Sequence, residues 1–168
     1  MKERPQSGEI ADYYFRYIDR VPKDADVVEV LEKQRSSAGA LLRGIGEEQS
    51  RKRYAPGKWS IRQVVGHLTD TELLFLYRAF WFARGMEGPL PSFDENAVAE
   101  IHPSDDVAWR TLVDAFDGVR SATIGFFRTL PREAWTRSGS ASGNPFSVRG
   151  LGFVIAGHLI HHEAILRE

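Results

Sequence analysis

The chain contains no cysteine. That excludes a disulfide framework, a zinc–thiolate site and a cysteine nucleophile together. Charge of one sign is also missing: 22 Lys and Arg stand against 23 Asp and Glu, a formal net charge of −1. With no basic run and no aromatic-interleaved basic stripe, the electrostatic footprint of a nucleic-acid-binding protein is lacking. No stretch approaches the roughly 20 apolar residues that span a bilayer. The charged start MKERPQSGEI has no apolar segment of the signal-peptide kind. These absences lead us to expect a cytoplasmic protein with no nucleic-acid and no membrane partner. Strand alternation is weak, and no internal repeat or low-complexity linker is visible. The 168 residues are expected to form one domain, 1–168, with its own core.

What is present is helical periodicity. Residues 9–20 read as a short aromatic helix carrying Ile10, Tyr13, Tyr14, Tyr17 and Ile18, ended near Pro22. A long helix from about Asp24 to Ile45 has the stripe Val27, Leu31, Gln34, Ala38, Leu41, Ile45, closed by Gly44 and Gly46. After a polar connection, Ser60 and Gln63 form a capping box, with Trp59 and Val64 as its staple, and open a second long helix to about Ala83. Residues 85–103 are a long crossover with about one helical turn in F-D-E-N-A-V. Ser104 is expected to cap a third helix, with Asp105 and Asp106 at its positive end. Its stripe is Trp109, Leu112, Phe116, Val119, Thr123, Phe126, Leu130. Residues 137–145 read as a loop. Ser147 then caps a fourth helix with the stripe Leu151, Ile155, His158, His162, Ile165. Four long helices with a near-heptad repeat predict an all-α four-helix bundle. Phe75, Phe80, Trp81, Phe116, Phe126 and Phe127 are expected in its core.

Three of the five histidines fall on predicted core faces. His158 and His162 are four residues apart, so their rings point within about 40° of each other, one turn apart. His67 lies on another helix, among Val64, Leu68 and Leu74. An i, i+4 pair plus a third imidazole is a common way for a bundle to hold a divalent cation. A lone core histidine is more often plain hydrogen-bonded structure. Three buried without a cation would be costly, because each brings polar nitrogens that need partners. His161 sits at the edge of the same face, and Gly157 leaves room for a neighbouring helix or a ligand. Asp70 and Thr71, one turn beyond His67, are its polar neighbours, and Asp70 is a candidate proton carrier, further ligand or acceptor for a ring N–H. Gln34 either faces the same cavity or is an edge position with a solvated amide. Glu95 and Asn96 either lid the bundle end or, with Asp94, cap a helix. Arg149, at the start of the last helix, either meets an anionic group or lies at the surface, and His102 reads as a surface residue.

The order and spacing of four segments carry a resemblance. They are Y-Y-F-R-Y-I-D-R-V-P, Y-A-P-G-K-W-S-I-R-Q-V-V-G-H-L, F-A-R-G followed by F-D-E-N-A, and N-P-F-S-V-R-G-L-G-F-V-I-A-G-H-L-I-H-H. Nearly the whole chain resembles the DinB/YfiT-like superfamily, described as metal-dependent hydrolases. The resemblance implies an up-down-down-up bundle, a homodimer, and a divalent metal held by the positions of His67, His158 and His162. It also implies either hydrolysis or transfer chemistry with a low-molecular-weight thiol, which this cysteine-free chain must take from outside. Imidazole ligands suit Zn, Ni or Fe without choosing among them. The expected partner is a small-molecule substrate. The alternative is a non-catalytic module that binds a metal or small ligand and acts as a dimer.

Overall fold

The computed structural model of the chain describes every residue except Tyr54, Pro103 and Glu168. Two positions named above, the first residue of the second motif and the last of the crossover, therefore lie outside the described residues. The helices are α1 (Phe15–Ile18), α2 (Val27–Gly44), α3 (Glu47–Ser50), α4 (Ile61–Ala83), α5 (Glu95–Ile101), α6 (Trp109–Arg128) and α7 (Val148–Leu166). A two-stranded hairpin, β1 (Ser138–Ala141) and β2 (Asn144–Ser147), precedes α7. No helix among the described residues is long and apolar enough to cross a membrane.

Helix starts follow from side chains that satisfy the first free amides. Ser60 accepts from the Gln63 amide while Gln63 returns a bond to the Ser60 amide, so the capping box of α4 is present. Ser147 accepts from the Gly150 amide and starts α7. Asp26 caps α2, which begins at Val27 rather than at about Asp24. Ser104 does not cap α6, which begins five residues later behind Ala108. Its hydroxyl is turned inward to His102 Nδ1, at 2.6 Å.

The four long helices α2, α4, α6 and α7 form the bundle. α4 packs on α6 and α7, and α2 packs on the same two. Named contacts fix directions. Arg62 in the first turn of α4 donates to the Ser104, Asp105 and Val107 carbonyls just before α6. Glu72 and Arg120, each eleven residues past the start of its helix, are bonded to each other. α4 and α6 thus run parallel, which is why the connection between them is long; it carries α5 across. Arg128 near the end of α6 bonds Glu32 near the start of α2, and Trp109 bonds the Leu42 carbonyl near its end, so α2 and α6 are antiparallel.

Several expectations are corrected. The N-terminal aromatic helix is shorter: a 3-10 turn, Asp12–Tyr14, leads into one turn of α-helix. On α2 the buried residue is Leu42 rather than Leu41, and on α6 it is Phe127 rather than Phe126. Both errors are one-residue drifts along a stripe whose true period is 3.6. Phe80 is 40% exposed rather than core. Residues 137–145 are mostly hairpin, not loop. Ser142 and Gly143 both take positive φ, 55° and 72°, as a two-residue turn of the primed kind requires. Its small and polar strand residues gave no β signal. Arg149 is buried rather than at the surface and meets anionic groups instead, its guanidinium pairing with Glu9 and Glu3.

The core is divided. One apolar cluster includes Leu31, Phe75, Ile124 and Ile155; the other includes Ala38, Leu68, Phe116 and Leu159. Between these pairs, on each long helix in turn, lie Gln34, Glu72, Arg120 and His158, all buried. A polar layer therefore crosses the bundle at one level.

Candidate metal centre

His67 from α4 and His158 and His162 from α7 are brought together by this layer. His67 Nε2 and His162 Nε2 each lie 3.1 Å from His158 Nε2. All three ligand atoms fall within 4.8 Å of one another, and all three residues are buried. Trp59 lies against the His67 ring, centroids 4.9 Å apart, and Tyr17 meets the His158 ring edge-on at 5.1 Å. Both aromatics pack against flanks of the cluster and border the space that leads to it.

The electrostatics favour the ligand form. Burial first, and repulsion from neighbouring titratable side chains second, pull the His67 pKa down to about 4 and that of His162 down to about 3. His158 is lowered well below the usual histidine range, first by burial and then by His162, His67 and His161. Three neutral imidazoles remain, and each ring nitrogen offers either a hydrogen or a lone pair. His158 Nε2 cannot make a full hydrogen bond with both of its neighbours. Three lone pairs on one cation remove that conflict. Two of the three nitrogen–nitrogen separations are 3.1 Å, a spacing that imidazoles sharing one divalent ion would have. The residues fit a metal. Thr71 Oγ1, 3.4 Å from His67 Nδ1, orients that ring from one turn away.

The remaining candidates separate. Asp70 does not join the cluster; its carboxylate lies 4.0 Å from His102 Nε2. Burial raises the Asp70 pKa. His102 is half-buried rather than on the surface, packed where a Cβ on Gly66 would fall. His161 stays half-buried beside Tyr17, ring centroids 5.5 Å apart. Gln34 is no solvated edge residue. Its amide donates to the Ala156 carbonyl on α7 at 2.8 Å and accepts from Arg120 at 2.8 Å. Asn96 is exposed on α5, and its backbone amide is capped by Asp94 at 3.0 Å. Its neighbour Glu95 instead lines a cavity of ≈ 200 Å³ that reaches His158.

Sequence reasoning missed Glu72, Arg120 and Arg78. Arg120 follows Phe116 by four residues and takes the buried place on the α6 stripe that the sequence reading assigns to Val119. Val119 is only half-buried. Glu72 had no signal until its partner was known.

Residues 30–166 match the family model of the DinB superfamily. The chain belongs to that superfamily. A protein of Oceanobacillus iheyensis named "Putative metal-dependent hydrolase OB0413" is 27% identical over 139 residues, 82% of this chain and 79% of the relative. Among solved structures, YfiT from Bacillus subtilis, described as "a probable metal-dependent hydrolase with an unusual four-helix bundle topology", superposes with a TM-score of 0.75 at 19% identity. That match covers 99% of this chain and 90% of YfiT. A mycothiol-dependent maleylpyruvate isomerase gives 0.71 at 14% identity, over 83% of this chain and 59% of the isomerase. At those identities the two structures speak for the fold. They place this DinB-superfamily chain among long-helix bundles.

Proposed function

We propose that this protein is a metal-dependent enzyme acting on a small molecule, either as a hydrolase or in a reaction that uses a low-molecular-weight thiol. The observation that carries the reading is the convergence of three buried, neutral imidazoles beside a cavity that reaches His158. The names of the Oceanobacillus relative and of YfiT support hydrolysis, and that of the mycothiol-dependent isomerase supports thiol chemistry. A divalent Zn, Ni or Fe ion held by His67, His158 and His162 would supply Lewis-acid activation of an electrophile and acidify a water or thiol.

The chain's own residues do the rest. Thr71 fixes the His67 ring, while Trp59 and Tyr17 form aromatic walls beside the cluster. Asp70, one turn from His67 and paired with His102, is the candidate proton carrier, and its raised pKa suits that part. His161 and Gln34 support the α7 face from the side, and Asn96 belongs to the segment that borders the cavity mouth.

Metal analysis of the purified protein tests the site. Wild type is expected to hold about one divalent ion per chain, and His67→Ala, His158→Ala and His162→Ala to lose it while keeping the helical spectrum. Full metal content in any of the three removes that residue from the site. Turnover of ester and amide panels, with and without added thiols, separates the two chemistries. Metal binding without turnover on any panel leaves the non-catalytic module.

We place the protein in the cytoplasm as a homodimer. Leu73, Tyr77 and Phe80 are 48%, 46% and 40% exposed on one outer face of α4, an apolar stripe of the kind that partners cover. Sedimentation is expected to give a dimer, and Leu73→Glu a monomer. A dimer that survives Leu73→Glu excludes this face.

A further inference from the structure

One face of α4 carries His67, Thr71, Phe75 and Arg78, spaced 4, 4 and 3 residues apart, all buried. Arg78 lies eleven residues past His67, about 16 Å further along the helix axis. The cavity that His158 borders is lined by Thr71, Phe75 and Arg78 from this face, by Tyr14 and Tyr17, and by Glu95 at its rim. It runs from the three-histidine cluster to the guanidinium.

Arg78 is an unusual cation. It is 2% exposed. Its Nη2 donates to two neutral oxygens, the Pro91 carbonyl at 3.1 Å and Ser142 Oγ at 3.0 Å. Its Nε is buried with no hydrogen-bond partner among the described residues. Every other arginine of comparable burial has an acid: Arg62 has Glu47, Arg120 has Glu72, and Arg149 has Glu9. Arg78 forms no ion pair among the described residues. It lies 5.2 Å from the Phe146 ring centroid, a contact that adds attraction but no compensating charge. A buried charge left unpaired is costly, and arginine suits two-oxygen acceptors through its planar fork. These contacts, from the α4–α5 connection and the hairpin, and the neighbouring Tyr14 hydroxyl place the group at the cavity wall.

We propose that Arg78 recognises a carboxylate on the substrate, at the end remote from the reacting group. The proposal rests on reading the three histidines as the reactive centre. One guanidinium balances one negative charge, which a carboxylate carries; a phosphate monoester would bring nearly two into the same low-dielectric space. Glu95 at the rim opposes an incoming anion, so a ligand enters by displacing that side chain toward solvent, where it is already exposed.

The test follows the Arg78 Nε–Hε resonance by NMR during titration with butyrate, butyramide and methyl phosphate. It uses both metal-free and metal-loaded protein, with metal content measured separately. Butyrate is expected to shift that resonance with or without metal, and butyramide to leave it unmoved. Arg78→Met is expected to weaken butyrate binding about 10- to 100-fold, the range of one lost charge-assisted contact, with metal content unchanged. Arg78→Lys serves if the methionine variant misfolds; it keeps charge but loses the fork, and a weakening of several-fold is expected. Glu95→Gln is expected to tighten binding. Equal butyrate affinity in wild type and in the Arg78 variants, no shift with butyrate, or preference for methyl phosphate each overturns the proposal. Loss of metal from the histidine variants is read independently, so failure here leaves the metal reading standing, and failure there leaves this result interpretable.

Discussion

Arg120→Met is expected to destabilise the protein by about 3–5 kcal/mol, the usual cost of removing one partner from a buried ion pair. The Arg120 and Glu72 side chains are 1% and 4% exposed. Arg120 Nε lies 2.8 and 3.0 Å from the two carboxylate oxygens, and its Nη2 lies 2.8 Å from one of them. Nη1 continues to Gln34, and Gln34 to the Ala156 carbonyl, each at 2.8 Å. Truncating the arginine strands a carboxylate and an amide oxygen where no water reaches. The double variant Glu72→Met/Arg120→Met removes both charges and is expected to recover most of the loss, because apolar replacements of a buried pair are often neutral or better. Urea unfolding of the two single variants and the double measures this directly. A cost below about 1 kcal/mol for Arg120→Met would mean that the pair is hydrated, contrary to its burial.

This layer also bears on the site. Ala156 is two residues before His158, and the positive charge of Arg120 is among the influences that keep His158 neutral. The same network that costs desolvation energy therefore holds the α7 backbone in register beside the cluster and favours the imidazole form that binds a cation.

The bundle and the histidine set were legible because both are written as periodicity. His158 and His162 occupy stripe positions, and a capping box announces the helix that carries His67. What was not legible depended on partners distant in sequence. Nothing local distinguishes the buried Arg120 or Arg149 from a solvated arginine; only Glu72 and Glu9, 48 and 140 residues away, do so. The hairpin was hidden for another reason. Its strands lack β-branched residues and are held by a tight turn and by backbone bonds between Leu90 and residues 140 and 142. Asp70 looked like a partner of His67 because three residues along a helix bring side chains near, yet the four-residue neighbour Thr71 takes the ring nitrogen.

Gly157→Ala is expected to be the most damaging of the small changes, because the room this glycine leaves is filled by backbone. A Cβ there would fall well inside 3.0 Å of the Tyr17 carbonyl, so α1 would have to move off α7. Overpacking of this kind costs roughly 1–3 kcal/mol, occasionally more, and here no flexible side chain can give way. The functional consequence should exceed the loss of stability. Tyr17 walls both His158 and the cavity, so its displacement admits water to the cluster and opens the aromatic side of the binding space. Gly118→Ala and Gly125→Ala on α6 are the controls. Neither Cβ would meet anything within 4 Å, and alanine in a helix interior gains roughly 0.5–1 kcal/mol over glycine. Thermal unfolding of the three variants should therefore move in opposite directions, down for residue 157 and up for residues 118 and 125. An unchanged or raised Tm for Gly157→Ala would show that α1 does not rest on α7 as described.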